Sequence, residues 1–525
     1  MSLVRKILKT HRISIRLATA TLLFLGLLET LVRLNPETPG LLKFRTVGAG
    51  TAALIWMFIV SLWCCRKILS MEYQIFAVAR VTLEEALRTR LAIIFLVGIV
   101  LLMALLPLSL DPASPLRYRI QTFLSFGMSG VTVLLCLMTI FLASGGISGE
   151  LEDFRIFNAM SKPVSRGKYL LGKWIGVLAL GTLLLSVSGL GIFIAVRSLA
   201  SMPAVDDTDR KVVDSELMVA RQAVAPVPPA DLEERIAKRW TEYQRNAADD
   251  IKINGVEESY KVIRNLEMND WLSVTPMEDA EFDFVGLPGP EANIPVQFRF
   301  KLQASKSPPE GKLRIALTVN SQKQPWLVNL DAYEIITIQP KYLNPDGRMR
   351  LIIHNRDPIK PANTFNTTLF FPFDRGLEIL YPVSSFGPNL ARGLVIEWLK
   401  LFFLSALGVF GATFLSFPVA SLTSLVLYVL AESSEFILNA VTDIRKMEEG
   451  QATAAALESF KFIFVSLGSL FSQFSRLNPI SAIVEGRAVT GWEVLGAIFW
   501  IGIIYGGFSL LFAWLSFRRR ELARN

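Results

Sequence analysis

The sequence predicts a polytopic α-helical membrane protein with about eight transmembrane helices and an inserted α+β extracytoplasmic domain. Its 525 residues are 52% hydrophobic and only 19% charged, whereas soluble proteins carry about 25% charged residues. The mean hydropathy is +0.42. The apolar residues also form long runs, and a helix needs about 20 of them to cross a bilayer. These observations exclude a soluble enzyme.

Eight segments are long and apolar enough to cross a membrane as helices, which satisfy their own backbone polar groups. The first follows a basic stretch, as in a signal peptide, but Glu29 and Arg33 stand where a cleavage site needs small residues. We therefore expect it to be retained. The eight segments are 15–33, 47–65, 91–109, 121–145, 171–196, 394–415, 417–436 and 493–516.

Lysine and arginine predict the orientation, because short cytoplasmic loops carry an excess of both. They concentrate before residue 17, in 66–90, in 146–170 and in the tail FRRRELAR. Eight crossings put these stretches on one side, so both termini are predicted to be cytoplasmic in a plasma (inner) membrane, with residues 197–393 outside. Residues 201–390 hold 22 Lys+Arg and 27 Asp+Glu. The net charge of +8 therefore follows the topology, and nucleic acid is not a predicted partner.

The extracytoplasmic domain is predicted to be helical over 205–268 and a β-sandwich over 292–385. Short runs rich in apolar, aromatic and β-branched residues alternate with turn sequences such as SPPEG and NPDG. A packing or docking domain is the favoured interpretation, since fold does not give function; an envelope protein or glycan is the possible partner. Trp326, Tyr342 and His354 are candidates for a ligand surface. The predicted strands lie in PVQFRFKLQ, KLRIALTVN, DAYEIITIQ, RMRLIIHN, TTLFFPF and LEILYPV.

Cysteine and histidine give no basis for metal or nucleophilic chemistry. Cys64, Cys65 and Cys136 lie in or at the end of apolar runs, where a thiol behaves as a small hydrophobic group. His11 and His354 lie in different regions. No metal site, catalytic residue or cofactor bound by this chain is therefore predicted.

Residues 147–176, ISGELEDFRIFNAMSKPVSRGKYLLGKWIG, lie in a predicted cytoplasmic loop. Apolar residues at three- or four-residue steps predict a short amphipathic helix that Pro163 ends. Glu150 and Glu152 lie near its predicted start, where the helix dipole favours anions. Such a helix either rests on the membrane or docks a cytoplasmic partner. The apolar residues are Ile147, Leu151, Phe154, Phe157 and Met160.

The pattern SGE-x-E…SKPVSR…LLGKW-x-G in this loop resembles the cytoplasmic coupling helix of ABC-2 type permeases, the membrane subunits of a class of ATP-driven exporters. FAVARVTLEEALRTRL at 76–91 resembles the elbow helix that precedes the first core helix of that family. RLNPISAIVEG at 476–486 and FRRREL at 517–522 resemble its C-terminal end. The subgroup it looks most similar to includes the permeases of nitrous-oxide reductase maturation and gliding-type systems.

Three features depart from the family pattern. Phe154-Arg155 stands where many members have Gly-Thr. The first two helices lie outside the six-helix core, and the large insert is not general to the family. The resemblance therefore implies four parts: two extra helices in 1–70, an elbow helix with core helices 1–3 and the coupling helix in 71–196, the extracytoplasmic domain in 197–393, and core helices 4–6 with a basic tail in 394–525.

The resemblance also implies partners. A separate cytoplasmic ATPase would bind ATP and Mg²⁺, and a second permease copy or a paralogue would complete a dimer. The Gly-Lys pairs of this chain are followed by Tyr169, Trp174 or Leu313, whereas a phosphate-binding loop needs Ser or Thr there. The residues carried over as coupling or ATPase-docking residues are Glu150, Glu152, Phe154, Phe157, Lys162, Pro163, Arg166 and Lys173, with Glu85 and Arg88 in the elbow helix.

Simpler explanations exist for several of these residues. Glu150 and Glu152 equally suit helix-dipole stabilisation, and Lys162 and Arg166 equally suit anchoring to lipid headgroups. Pro163 ends a helix in either case. Glu85 and Arg88 have the i, i+3 spacing of a local ion pair.

Ionisable residues within apolar segments suggest function by default. Glu397 and Lys400 are placed by the sequence at the outer start of the sixth helix, and Glu432 and Glu435 near the outer end of the seventh. We interpret all four as interfacial rather than as part of a cargo path.

The leading hypothesis is thus the permease subunit of an ATP-binding-cassette exporter with an unidentified cargo. A non-transporting scaffold, which couples an ATPase to an envelope partner through the outer domain, is the alternative. A membrane-tethered enzyme is a third hypothesis, which no catalytic signature in the sequence favours.

Overall fold

The computed structural model describes residues 39–152, 164–246, 256–308, 311–319, 322–357, 367–372, 375–438, 466 and 468–520. The chain divides into two compact units. One, here called the helical unit, comprises the chain up to Met218 and from Phe386 onward. The other, the β unit, is Val219–Ser385.

The first half of the helical unit contains six described helices. The second of them, which corresponds to the predicted elbow, is amphipathic, and the next three are long and apolar. A short π-helical turn, Val213–Leu217, follows the sixth. The helices are α1 (Pro39–Ile68), α2 (Gln74–Ala86), α3 (Arg90–Ser109), α4 (Leu116–Glu152), α5 (Arg166–Ala200) and α6 (Asp207–Val212).

A buried carboxylate on α6 holds the start of α4. Asp209 accepts hydrogen bonds from the backbone N–H groups of Leu116, at 2.7 Å, and Arg117, at 3.2 Å. These N–H groups have no partner within their own helix, so a side chain must satisfy them.

We expect Asp209→Ala to lower the free energy of unfolding by about 1–2 kcal/mol, as for other lost helix caps. Thermal unfolding against Asp214→Ala, an exposed acid nearby, measures this; equal effects would contradict it.

The β unit begins with a strand and two helices, and then consists of strands. Apart from short turns, its elements are β1 (Val219–Val224), α7 (Leu232–Asn246), α8 (Val256–Trp271), β2 (Ser273–Val274), β3 (Asp279–Val285), β4 (Val296–Lys301), β5 (Gln303–Ala304), β6 (Lys312–Val319), β7 (Gln322–Asn329), β8 (Tyr333–Ile338), β9 (Arg348–His354), β10 (Leu369–Phe370) and β11 (Leu377–Ser385).

Two four-stranded antiparallel sheets face one core. One has the strand order β1-β11-β4-β8 and the other β3-β9-β6-β7; a small sheet, β2-β10-β5, lies beside them. Phe298 and Phe300 from the first sheet share a buried cluster with Phe282 and Phe284 from the second. This arrangement, in which inward-facing residues of both sheets fill one core, is that of a β-sandwich.

The six sequence runs that predict strands coincide with β4, β6, β8, β9, β10 and β11. Three longer strands, β1, β3 and β7, are not predicted, and neither is the two-residue strand β2. β1 lies in the stretch 205–268 that was expected to be helical, and it is a strand because it pairs along its length with β11. β3 and β7 are edge strands. β7 contains Pro325, which lacks an N–H and is tolerated at a sheet edge.

The two helices of the β unit pack on each other through Leu232, Ile236 and Met268. Arg239 on α7 binds Glu267 and Asp270 on α8, each at 2.8 Å. These hydrogen bonds raise the pKa of the Arg239 guanidinium.

The helical unit resumes with α9 (Phe386–Ala412), α10 (Phe417–Glu432), α11 (Pro479–Val484) and α12 (Gly491–Arg519). Within α12, Ile498–Gly507 is π-helical. Residues 434–438 and 468–476 are also helical. Phe386 donates its N–H to the carbonyl of Met218, so the two halves of the helical unit meet where the β unit is inserted.

Six described helices are long and apolar enough to cross a membrane: Gly48–Ile68 within α1, and α3, Leu116–Leu151 within α4, α5, α9 and α12. They correspond to six of the eight predicted spans. The predicted span 15–33 lies outside the described residues. The predicted span 417–436 is α10, which has 16 residues and is followed by a turn at Ser433.

Three helices form the centre of the helical unit. Most of α4, α5 and α9 is buried, whereas most of α1, α3 and α12 is exposed or only half-buried, as in helices that face lipid. α4 has 37 residues and α5 has 35, which makes each about 50–55 Å long. Since the hydrocarbon core is about 30 Å thick, both helices extend well beyond it.

Candidate functional site

A buried lysine joins three helices of the helical unit. The ammonium of Lys173 on α5 lies 2.6 Å from Glu150 on α4 and 3.2 Å from Glu85 on α2. The Tyr169 hydroxyl, one turn before Lys173, also donates to Glu150. We call these four residues the Lys173 cluster.

Because the Lys173 ammonium is buried, it depends on the two carboxylates beside it. The Lys173 side chain is 4% exposed and Glu150 is 17% exposed, while Glu85 is 40% exposed. Removing an ion from water costs several kcal/mol, and close opposite charges must offset that cost. Lys173 therefore requires both carboxylates in place, which fixes the ends of α2 and α4 against α5.

Two glycines let α2 approach α5 closely enough to form the cluster. A Cβ added at Gly172 would lie 2.5 Å from Cβ of Val78. One added at Gly176 would lie 2.5 Å from Cβ of Thr82 and 2.7 Å from the carbonyl oxygen of Ala79. Small residues four apart bring helix backbones together in this way within membranes. Residues Gly172 and Gly176 are thus part of the site.

Arg166 closes the same end of the helical unit. Its guanidinium donates to the carbonyls of Phe517, Arg518 and Arg520, at 3.3, 2.8 and 3.0 Å, where α12 ends. The last carbonyls of a helix lack partners within it, so Arg166 caps α12. Arg520 in turn donates to the carbonyl of Thr413, just after α9.

A cavity of about 290 Å³ lies beside the Lys173 cluster. Its walls come from α2, the start of α3, α4 and α5, together with Phe417 at the start of α10, and they include Glu85. Gly146 and Gly149 on α4 line it, and a Cβ at either glycine would meet no atom within 4 Å. The cluster therefore borders open space rather than a closed core.

The structure places some of the predicted site residues together and not others. Glu85, Glu150 and Lys173 meet in one cluster, and Arg166 lies one helical turn before Tyr169. Arg88 is exposed, and among the described residues no ion pair joins it to Glu85; the predicted i, i+3 pair is wrong, since Glu85 turns to Lys173. Phe154, Phe157, Lys162 and Pro163 lie outside the described residues.

The position of Glu150 also differs from the expectation. Residues 147–152 belong to α4, which begins at Leu116, so Glu150 is in the last described turn of a long helix and not at the start of a short one. Stabilisation by a helix N-terminus therefore does not apply to Glu150; Lys173 supplies the charge. Glu152 is the last residue of α4.

A second charged cluster lies deeper in the helical unit. Glu397, Lys400 and Glu432 were expected at a membrane interface, but α9 begins at Phe386, 11 residues before Glu397. Glu397 is 2% and Lys400 0% exposed. These two residues are therefore buried among helices, which the sequence did not predict. The sequence shows this site as an i, i+3 pair of opposite charges inside an apolar run. The predicted span began at residue 394, whereas α9 begins at Phe386, so the pair lies further along the helix than the prediction placed it.

The β unit also forms a hydrogen-bonded row of polar side chains. His354 contacts Asp279, at 2.7 Å, and Thr318, at 2.8 Å, across neighbouring strands. The row has the order of a nucleophile, base and carboxylate. However, Thr318 lies within the β6–β9 ladder, whose backbone N–H groups pair with carbonyls, and an acyl-transfer site needs free N–H donors at the nucleophile. The row is better explained as cross-strand stabilisation.

The other two residues proposed for a ligand surface pack inward. Trp326 and Tyr342 are partly buried against the core of the β unit. They therefore contribute to the sandwich, as aromatic strand residues usually do.

Six long apolar helices define a multi-pass membrane protein with an inserted β-rich unit. Residues 76–223 match the sequence model of the family described as ABC-2 family transporter protein. The match runs from α2 into β1 and contains the whole Lys173 cluster, and it supports an ABC-2 type permease, the membrane subunit of such a transporter. No curated protein and no solved structure matches the chain.

Proposed function

We propose that this chain is the permease subunit of an ATP-binding-cassette exporter, in which a separate cytoplasmic ATPase binds ATP and Mg²⁺. The observation that carries the proposal is the Lys173 cluster, which lies within the matched residues 76–223. The cluster joins the elbow-like helix α2 to the end of α4. From there the chain continues into residues 153–163, where the proposed ATPase contacts Phe154, Phe157, Lys162 and Pro163 lie.

The contacts support a rigid transmission of movement. A displacement of residues 153–163 by the ATPase pulls on Glu150, whose bonds to Lys173 and Tyr169 carry the displacement to α5. Lys173 carries it on to α2 through Glu85. Arg166 and Arg520 link the same end of α5 to α12 and α9. Packed helices respond to such shifts by moving as bodies between discrete arrangements.

The remaining parts of the proposal follow from the family resemblance and, for the orientation, from the distribution of lysine and arginine. The permease pairs with a second copy or a paralogue, and two ATPase units sit beneath them. The membrane is a plasma (inner) membrane, with both termini cytoplasmic and the β unit outside. The systems it resembles include those of nitrous-oxide reductase maturation and gliding-type permeases.

The first test is purification of the tagged full chain from its own cells in mild detergent, with an assay of ATP hydrolysis. We expect an ATPase subunit to co-purify and Phe157→Asp to remove it, because a charge replaces the apolar contact. Leu327→Asp, at an exposed strand residue of the β unit, is the matched control. If the wild-type chain purifies without an ATPase, or both variants retain it equally, the proposed docking is wrong.

The scaffold hypothesis makes a different prediction from the same material. The β unit has its own buried core, so it can bind an envelope partner as a compact domain. In reconstituted vesicles, a scaffold stimulates ATP hydrolysis without moving any cargo, whereas an exporter moves one. Efflux or uptake of candidate cargoes that depends on ATP decides between the two.

A further inference from the structure

The Glu397–Lys400–Glu432 cluster lies near the middle of a candidate membrane helix. Lys400 is 14 residues from the start of α9 and 12 from its end, which places it about 20 Å along the axis. Its ammonium lies 3.4 Å from Glu397 and 3.5 Å from Glu432. Charged residues at such depth are rare and mark functional paths.

The charges of this cluster do not balance. Two carboxylates face one ammonium, and no second cation contacts either carboxylate within the part of the chain that the structure describes. The fully ionised cluster therefore holds one excess negative charge in a low-dielectric interior. Burial favours the neutral form of a carboxyl group, and a proton is the simplest means of removing the excess charge.

Glu397 is the carboxylate with the poorest solvation. Both of its oxygens are buried, and the nearest charged group is the Lys400 ammonium, at 3.4 Å. The Glu432 side chain, in contrast, is 34% exposed and accepts a hydrogen bond from Asn478 at 3.3 Å. A carboxylate that is 2% exposed and shares its one charged contact, Lys400, with a second carboxylate is poorly stabilised as an ion, so the protonated form is favoured.

Among the residues that the structure describes, the groups around the cluster offer no alternative counter-charge. Thr132 and Cys136 on α4 face the cluster from one side and Tyr428 on α10 from another. The ring of Phe474 lies under the ammonium of Lys400, at 5.4 Å. Hydroxyl, thiol and phenol groups are neutral donors here and do not offset a carboxylate charge. A metal ion is disfavoured because the Lys400 ammonium occupies the space between the two carboxylates.

We propose that Glu397 is an exchangeable proton-binding site within the membrane domain, supplied through Glu432 and Lys400. Glu432, at the partly exposed end, takes up the proton. Lys400 then donates one proton to Glu397, and the proton on Glu432 restores its ammonium. One proton has moved from Glu432 to Glu397, and no charge is created. This site depends only on packing within the helical unit and not on the ATPase partner.

The test is infrared spectroscopy of the full chain in lipid vesicles, with H⁺ and D⁺ as probes. We expect a carboxylic-acid carbonyl band at neutral pH that Glu397→Gln removes. Glu267→Gln is the matched control, because Glu267 is also buried but has arginine as its partner; it should leave the band unchanged. Glu397→Asp retains a carboxyl group and should shift the band without removing it. This second variant tests the assignment even if Glu397→Gln does not fold.

The transfer route has its own variant. Lys400→Arg keeps the positive charge, but a guanidinium does not release its proton in proteins. We expect it to retain the Glu397 band and to slow deuterium exchange by about tenfold or more.

Three results overturn the proposal. If no carboxylic-acid band depends on Glu397 at any pH where the protein stays folded, the cluster is a permanent ion-pair network. If Na⁺ at constant pH removes the band, the site binds a metal cation. If Lys400→Arg exchanges as fast as the wild type, the route through Lys400 is wrong.

Discussion

Replacing Lys173 with methionine is expected to lower the free energy of unfolding of the helical unit by about 3 kcal/mol. The variant removes the ammonium that lies 2.6 Å from Glu150, and the Glu150 side chain is mostly buried. The exposure of Glu85 to solvent keeps the effect at the lower end of the range for broken buried pairs. If the proposed transmission holds, ATP hydrolysis by the co-purified complex also loses its response to cargo.

Two comparisons make this result specific. Lys168→Met removes an exposed lysine that bonds to Gln74 at 3.1 Å, and it should change stability by less than about 1 kcal/mol. Adding Glu150→Gln to Lys173→Met removes the buried charge that has lost its ammonium partner, so it should recover part of the loss. Thermal unfolding in detergent measures all three; an equal effect of Lys168→Met would refute the special role of Lys173.

Two glycine-to-alanine substitutions on neighbouring helices are expected to change the free energy of unfolding in opposite directions. At Gly176 a methyl group would meet the Ala79 carbonyl at 2.7 Å and the Thr82 Cβ at 2.5 Å. Backbone must move to admit it, so we expect a loss of about 1–3 kcal/mol. At Gly146 the methyl group meets nothing within 4 Å, and alanine should gain up to about 1 kcal/mol through helix propensity.

The same pair of variants separates stability from coupling. Gly176→Ala pushes α2 away from α5, so it should also disturb the contact between Glu85 and Lys173. Gly146→Ala should leave ATP hydrolysis by the complex unchanged. Thermal unfolding and the ATPase assay, made on the same preparations, report the two effects. If Gly176→Ala is as stable as the wild type, the close crossing of α2 and α5 does not hold this end together.

Much of the fold was predictable, because it depends on local patterns. Long apolar runs specify membrane helices by length alone, and six of the predicted runs are such helices. Alternating runs such as RMRLIIHN specify strands, and β9 lies where that run predicts it. The strand β1 was not predictable in this way, since its state depends on pairing with β11 more than 150 residues later.

For the candidate site, the sequence predicted which residues belong to it but not how they contact one another. The resemblance pointed to Glu85, Glu150 and Lys173, but nothing local shows that the three meet, since 88 residues separate Glu85 from Lys173. It assigned Glu150 a helix start that α4 does not provide. The roles of Gly172 and Gly176 depend on which helix passes in front of them, and this is a property of packing.

The sequence by itself determined that this protein is embedded in a membrane, where its helices lie and where a β-rich unit is inserted. Mean hydropathy and the spacing of apolar residues are properties of neighbouring residues, so they can be read without knowledge of the fold. The tertiary structure decided which charges are buried and with which partners. The contrast between Arg88, which is exposed, and Lys400, which is wholly buried, shows why: the energy of a charge depends on the dielectric and the charges around it, and both are fixed only when distant helices pack.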